Sequence, residues 1–504
     1  MSRALRIVGG VIATGACVAA LPTPAWAVPG DFASAGEFAT GNTPFEIGTG
    51  DFDDDGDIDA AVPNANGANV TVLLNDGDGT FTTAPGSPVE TAGTPRGLAV
   101  GDFDGDGLDD FAVTEDQTDT VRIVLSDGDG TFTSNTPIAA GVSPSKLAVG
   151  LFDANAVPDL AIANTGVDPS PGAVTVMLGN GSGGFAPASE SPITTEMYTY
   201  NITVGDIDAD GPDDIAASNL SSDNVNILIG DGDGTFTEPA TSPEAVGDGP
   251  EGLAIGDLQG GPGADLVVAN TFSANTSVLI GDGAGNFTAA ASSPEPEGGN
   301  DTALGTLDGD GDLDIATFDG PDKAAFLMND GAANYTLGST TPVRAFATKV
   351  AIADLDDDGD EDVLTSGGNG GEYVVTPLLN DELDTDDDGV LDLADLCPDL
   401  PGTTEGCPVF HPTLTIKYKK RAEAFKGTVT STETTCAAGI TVKVFRNKNG
   451  GPELQGKGKT NDAGRYRVDK KVKRGSFFPT TPRSVDPEIG ICAAAQANSI
   501  FVQP

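Results

Sequence analysis

The stretch Asp102-Phe103-Asp104-Gly105-Asp106-Gly107-Leu108-Asp109-Asp110 decides how the chain is read. Oxygen side chains stand at its positions 1, 3, 5 and 9, and glycine stands at position 6, where the backbone must turn sharply. The alternation points successive carboxylates to one side and position 7 adds a backbone carbonyl, which together make the hard oxygen cage that Ca2+ prefers. A helical EF-hand is excluded, because position 12 is Val113 in an apolar strand where an EF-hand places a bidentate glutamate. Apolar Phe103 at position 2 is expected to turn away from the ion and pack between neighbouring units.

Working outward, the same pattern recurs with first positions at Asp51, Asp102, Leu151, Asp206, Asp257, Thr306 and Asp354, at intervals of 51, 49, 55, 51, 49 and 48 residues. Seven copies of a unit of this length signal a repeat architecture. Within the second copy, Leu98 to Val100, Asp110 to Val113, Thr120 to Leu125 and Thr131 to Thr133 read as strands, the last two joined by Asp127-Gly128-Asp129-Gly130, a turn that supports positive φ. Four antiparallel strands make one blade, and seven blades close a ring, so the fold class expected is an all-β, seven-bladed β-propeller. The seventh copy lacks a fourth strand after Asn380-Asp381. Phe32 lies twelve residues before Pro44, as Phe132 lies twelve before Pro144, so the segment Phe32 to Thr40 is expected to pair with the last blade and cover its open edge.

Four loops carry the full carboxylate set: Asp51, Asp53, Asp55 and Asp59; Asp102, Asp104, Asp106 and Asp110; Asp206, Asp208, Asp210 and Asp214; Asp354, Asp356, Asp358 and Asp362. The sixth loop keeps Asp308, Asp310 and Asp314 behind Thr306 and stays a candidate metal site. The third begins with Leu151, and the fifth carries Gln259 and Gly261 at positions 3 and 5; both are degenerate. The cofactor expected is Ca2+.

With these residues in view, the repeat resembles the FG-GAP or VCBS repeats of integrin α-subunit propellers and of many secreted bacterial proteins. The resemblance covers residues 31 to 380. It implies a seven-bladed propeller with calcium in loops on one face, between the first two strands of a blade.

Residues 381–408 follow, with carboxylates at Asp384, Asp386, Asp388, Asp392 and Asp395 ahead of Cys397-Pro398. This run is similar to a thrombospondin type 3 calcium repeat, which implies a calcium-stiffened linker. Residues 409–504 reverse the charge, with 17 of the chain's 25 basic residues against 7 acids. Thr413 to Tyr418, Ile440 to Phe445, Arg465 to Val468 and Ser499 to Val502 read as the strands of a small β-sandwich. Its basic clusters, Lys417 to Arg421 and Lys470 to Arg474, are read as a solvated face.

The whole chain has 504 residues and a net charge of −52, which excludes a nucleic-acid binder driven by phosphate contacts. Residues 1–27 read as a signal peptide: Arg3 and Arg6, an apolar run from Ile7 to Leu21, and a cleavage motif at Ala25-Trp26-Ala27. The apolar run is too short to span a membrane. A secreted, extracellular monomer is expected. Cys397, Cys407, Cys436 and Cys492 remain after cleavage removes Cys17, an even count that suggests two disulfides.

His411 is the only histidine and sits outside the repeats, so a Ser-His-Asp or Cys-His site in the ring is excluded. No catalytic residue is assigned. The reading is a non-enzymatic, calcium-binding scaffold for extracellular binding or adhesion, taking a protein or a cell-surface ligand. The alternatives are a calcium-dependent carbohydrate binder and a calcium-assisted enzyme acting on extracellular polymers. Tyr and Arg side chains on one rim would mark the first alternative. An Asp or Glu beside a Lys or Arg in a deep pocket outside the loops would mark the second.

Overall fold

The computed structural model describes residues 32–380 except 168 and 370, together with the strand segments 413–419, 424–430, 441–448, 451–459, 465–469 and 499–502. Residues 1–27 read as a signal peptide, the acidic run with Asp384, Asp386, Asp388, Asp392 and Asp395 read as a calcium linker, His411 and all the cysteines lie outside the described residues.

Each repeat forms one antiparallel sheet. In blade 2 the strands are Pro95–Gly101, Asp110–Glu115, Thr120–Ser126 and Phe132–Ser134, paired in that order. The other inner strands are Gly48–Gly50, Pro144–Gly150, Thr199–Gly205, Pro250–Gly256, Ala303–Gly305 and Lys349–Ala353. Each touches the inner strand before and after it in the chain, and the last returns to the first, so seven blades surround one axis.

In blades 1 to 6 the second strand is buried along its whole length, as in Asp59–Asn64 and Asp159–Asn164. That explains its near-continuous apolar sequence, which strands covered on both faces require. The core lies between blades. Phe52, at position 2 of the first loop, packs with Leu98, Phe111, Val113 and Val124 of blade 2, and Phe103 packs with Leu147, Leu160 and Ile162 of blade 3. All seven position-2 side chains are buried. The expected role of Phe103 is therefore the observed one, and burying such a ring contributes roughly 1.5–3 kcal/mol.

The fourth strand differs from the single run that the sequence suggests. In blade 2 it is interrupted, and Ile138–Ala139 pairs further along the same neighbour. Blades 1, 3, 4 and 5 fill the interruption with a serine. The hydroxyls of Ser87, Ser191, Ser242 and Ser293 accept the N–H of Val72, Val176, Ile227 and Val278, at 2.9–3.0 Å. A side-chain oxygen thus takes the place of a ladder carbonyl where the edge breaks.

Ring closure follows the same plan. Ala33 and Ser34 pair with Leu379 and Leu378, and Phe38 and Ala39 pair with Val375 and Val374, so the amino-terminal segment completes blade 7 as two short pieces. Phe32 enters the core and meets Phe326 at a centroid distance of 4.1 Å.

Beyond the ring, Thr413–Lys419, Ala424–Thr430 and Arg465–Asp469 form one three-stranded sheet. Gly451–Lys459, Thr441–Lys448 and Ser499–Val502 form another. The strands 424–430 and 451–459 were not among those read from the sequence.

Candidate metal centres

Each acidic loop leaves the end of an inner strand and returns as the second strand, so the loops share one face of the ring. The turn is made by left-handed residues at positions 4 and 6. In the first loop these are Asp54 (φ 60°) and Gly56 (φ 101°), and in the second Gly105 (φ 80°) and Gly107 (φ 92°). An added Cβ at Gly56 or Gly107 would meet nothing within 4 Å, so glycine is present there for its φ and not for space. The third loop keeps this path with Ala156 at φ 57°, although Leu151 replaces the carboxylate at position 1.

Within these turns the backbone gathers the carboxylates. Gly105 and Gly107 donate to the two oxygens of Asp102 at 2.7 and 3.0 Å, and Asp106 N donates to Asp104 Oδ1 at 3.2 Å. Four groups result whose ligand oxygens lie within 4.8 Å of one another and could hold a metal ion: Asp51, Asp53 and Asp59; Asp102, Asp104 and Asp110; Asp206, Asp208 and Asp210; Asp354, Asp356 and Asp362. They fall in the four loops read as complete. Asp55, Asp106 and Asp358 at position 5 are exposed and stand outside these groups, and in the fourth loop Asp214 does so instead. Asp308, Asp310 and Asp314 form no such group among the described residues.

The donor set fits a cation. Asp53 Oδ1 and Asp354 Oδ1 are buried with no hydrogen-bond partner among the described residues. Burial, then the charges of Asp55 and Asp51, raise the Asp53 carboxyl above its ordinary range, and burial followed by Asp106 does the same to Asp104. A divalent ion would meet the unpartnered oxygens and offset the like-charge repulsion at once.

Position 9 has a second task that its spacing does not reveal. In every blade one of its oxygens accepts the N–H of position 2 and the other accepts an N–H at the end of the third strand. For Asp59 the donors are Phe52 and Asn75 at 2.8 Å each; for Asp159 they are Phe152 at 2.9 Å and Gly179 at 2.7 Å. The pair recurs at Asp265 in the fifth blade, so the residue survives where the cage does not.

Position 8 also matters, and the repeat pattern gave no sign of it. Asp109 Oδ2 accepts Asp51 N of the preceding loop at 3.0 Å, and Asp213 Oδ2 accepts Leu151 N at 2.7 Å. Glu361 accepts Thr306 N in the same way. Asn75, Ser126, Asn329 and Asn380 donate to the position-2 carbonyl of the preceding blade at 2.8–3.0 Å. The loops are thereby stapled blade to blade.

The other end of the inner strands carries different chemistry. Five residues before the loop stand Glu46, Lys146, Asp301 and Lys349 in blades 1, 3, 6 and 7, and the ring brings them together near its axis. Lys146 Nζ pairs with Glu46 and donates to Phe45 O at 2.7 Å, while Lys349 Nζ lies 3.5 Å from Asp301 Oδ1. Both lysines are 2% exposed. Burial pulls Lys146 down to about 8. Burial also opposes the charge of Lys349, but Asp301 and Glu46 outweigh it and hold that ammonium above its ordinary range.

A model of the FG-GAP-like repeat family matches residues 51–113, 102–162 and 152–217, a stretch that holds the first four of the seven loops of the ring. No curated protein matches the chain by sequence. Among solved structures it is similar to BBS1N in complex with ARL6DN (12% identity, 70% of this chain and 98% of that one, TM-score 0.48). It is also similar to the periplasmic gluconolactonase PpgL of Pseudomonas aeruginosa (15%, 60% and 85%, TM-score 0.46) and to a functionally unknown protein from Desulfotomaculum acetoxidans DSM 771 (12%, 62% and 94%, TM-score 0.45).

Proposed function

We propose that the chain is an exported, calcium-stabilised propeller that binds a protein or a cell-surface ligand without catalysis, through the face opposite its acidic loops. One observation carries the reading. Of the eight large hydrophobic side chains exposed among the described residues, six (Val142, Val167, Met197, Tyr198, Phe272 and Phe346) lie on the connections of that opposite face. Leu151 is on the loop face and Leu337 on an outer strand. Apolar side chains collected on one end of a soluble ring mark an interaction surface. Calcium is assigned to the loop face because the donors are all oxygen and two of them are buried without a partner. Its role is to neutralise like charges and fix the loops, which in turn hold the blades that display the opposite face. The axial acids and lysines are paired with one another, and Asp301 and both lysines are buried, which supports a structural task for them.

Two measurements test this. Sites of this class bind at about 10⁻⁴ to 10⁻³ M, and each site held at ten times its Kd adds about 1.4 kcal/mol, so millimolar calcium is expected to raise the melting temperature over that in chelator. An unchanged melting temperature would remove the metal assignment. Phe272→Ser with Phe346→Ser is expected to abolish capture of the calcium-loaded protein on its target cells at unchanged melting temperature. Leu151→Ser with Leu337→Ser leaves capture intact; the reverse pattern would place binding elsewhere.

A further inference from the structure

On the face opposite the acidic loops, where blades 2, 3 and 4 meet, a cavity of about 290 Å³ opens between Arg96, Asp116, Ser145, Val167 and Tyr198. We infer that this cavity is a binding subsite for one neutral sugar ring at the end of a glycan. The inference rests on the proposed extracellular binding role only for where the ligand is met; the cavity itself needs no calcium.

The size sets the first limit, since 290 Å³ is at the lower end of the ~300–1,000 Å³ typical of small-molecule sites. Charge sets the second. Arg96 Nε lies 2.9 Å from Asp116 Oδ2, so the one cation and the one carboxylate among the described lining residues cancel. An anion would find its partner already taken and would approach a chain of net charge −52. A cation would find the carboxylate taken. A polyol meets neither penalty, because each hydroxyl both donates and accepts.

The third limit is an unfilled bonding capacity. Ser145 is fully buried on the cavity lining, and its Oγ has no partner among the described residues. A buried hydroxyl without a partner costs free energy unless a ligand or solvent group completes it. Tyr198 supplies the remaining element of a sugar site. Its ring stacks on Tyr200 at a centroid distance of 6.3 Å and an interplanar angle of 14°, yet the residue is 38% exposed at the rim. An aromatic face braced in this way offers a flat apolar surface to the C–H side of a pyranose, while Asp116, Arg96 and Ser145 meet its hydroxyls.

Binding is favoured over hydrolysis because Asp116 is the only carboxylate among the described lining residues. Glycosidases require two, about 5–9.5 Å apart.

The test is saturation-transfer NMR on the full calcium-loaded chain with glucose, galactose, mannose, N-acetylglucosamine and glucuronate. At least one neutral sugar is expected to bind, and Asp116→Asn and Tyr198→Asn are each expected to weaken it ~10-fold or more. Asparagine tolerates the left-handed backbone of residue 198 (φ 63°), so that variant is expected to keep the wild-type melting temperature. The inference is overturned if no neutral sugar binds, if binding survives both variants, if only glucuronate binds, or if target capture is indifferent to enzymatic deglycosylation. Repeating the titration in chelator separates the two readings. Sugar binding without a calcium-induced rise in melting temperature keeps this subsite and removes the metal assignment, and the opposite result does the reverse.

Discussion

Asp159 holds two backbone N–H groups in a blade whose loop begins with Leu151, and that separates two tasks that the repeat fuses elsewhere. Position 9 pins the loop to the third strand; positions 1 and 3 gather charge. Asp159→Asn leaves one of two buried N–H donors facing an amide NH2. The expected loss is about 1–3 kcal/mol, equal in calcium and in chelator, by denaturant unfolding. Asp104→Asn is expected to act the other way round. It removes like-charge repulsion, so stability in chelator holds or rises while the calcium increment falls; an equal loss in both conditions would make Asp104 structural. A pH dependence follows from position 9 as well. Burial raises Asp59, Asp314 and Asp362 to about 7, and Asp110 and Asp214 to about 6. The metal-free folded state therefore binds more protons than the unfolded chain between about pH 4 and pH 7, and its stability is expected to fall as pH rises through that window. Calcium competes with those protons, so melts at pH 5 and pH 7.5 should differ more in chelator than in calcium.

At the scale of the element, the broken fourth strand shows how an edge survives its own interruption. Ser191 Oγ accepts Val176 N at 2.9 Å where no carbonyl is in register. Ser191→Ala is expected to cost about 1–2 kcal/mol and to raise hydrogen exchange at Val176 above that at Val174. Equal exchange at the two amides would mean that the hydroxyl contributes nothing. Strand order, the Asp-Gly turns with Gly128 and Gly130 at φ 71°, and burial of Phe103 were all legible from the repeat. Period and turn chemistry are local properties, and seven copies report them seven times. The serine substitution for a ladder carbonyl was not legible, because Ser-Pro in an edge reads only as a turn.

At the scale of the molecule, each axial pair joins two different blades. Lys349 of blade 7 and Asp301 of blade 6 are buried together, so Lys349→Met strands a carboxylate and is expected to cost about 3–5 kcal/mol. The double variant Lys349→Met, Asp301→Leu should recover most of that loss, measured as a double-mutant cycle in chemical denaturation. If the double variant is no better than the single, the pair is not coupled.

The sequence by itself determined the number of blades, the strand order within each, the amino-terminal closing segment and the four loops in which carboxylates converge. These depend on period, alternation and turn residues within about fifty consecutive positions. Only the tertiary structure decided that Glu46, Lys146, Asp301 and Lys349 meet at the axis, or that Arg96, Asp116, Ser145 and Tyr198 share a cavity. The axial four come from four different repeats and the cavity residues from three consecutive blades, and assembly of the ring is what turns offsets within single repeats into contacts between them.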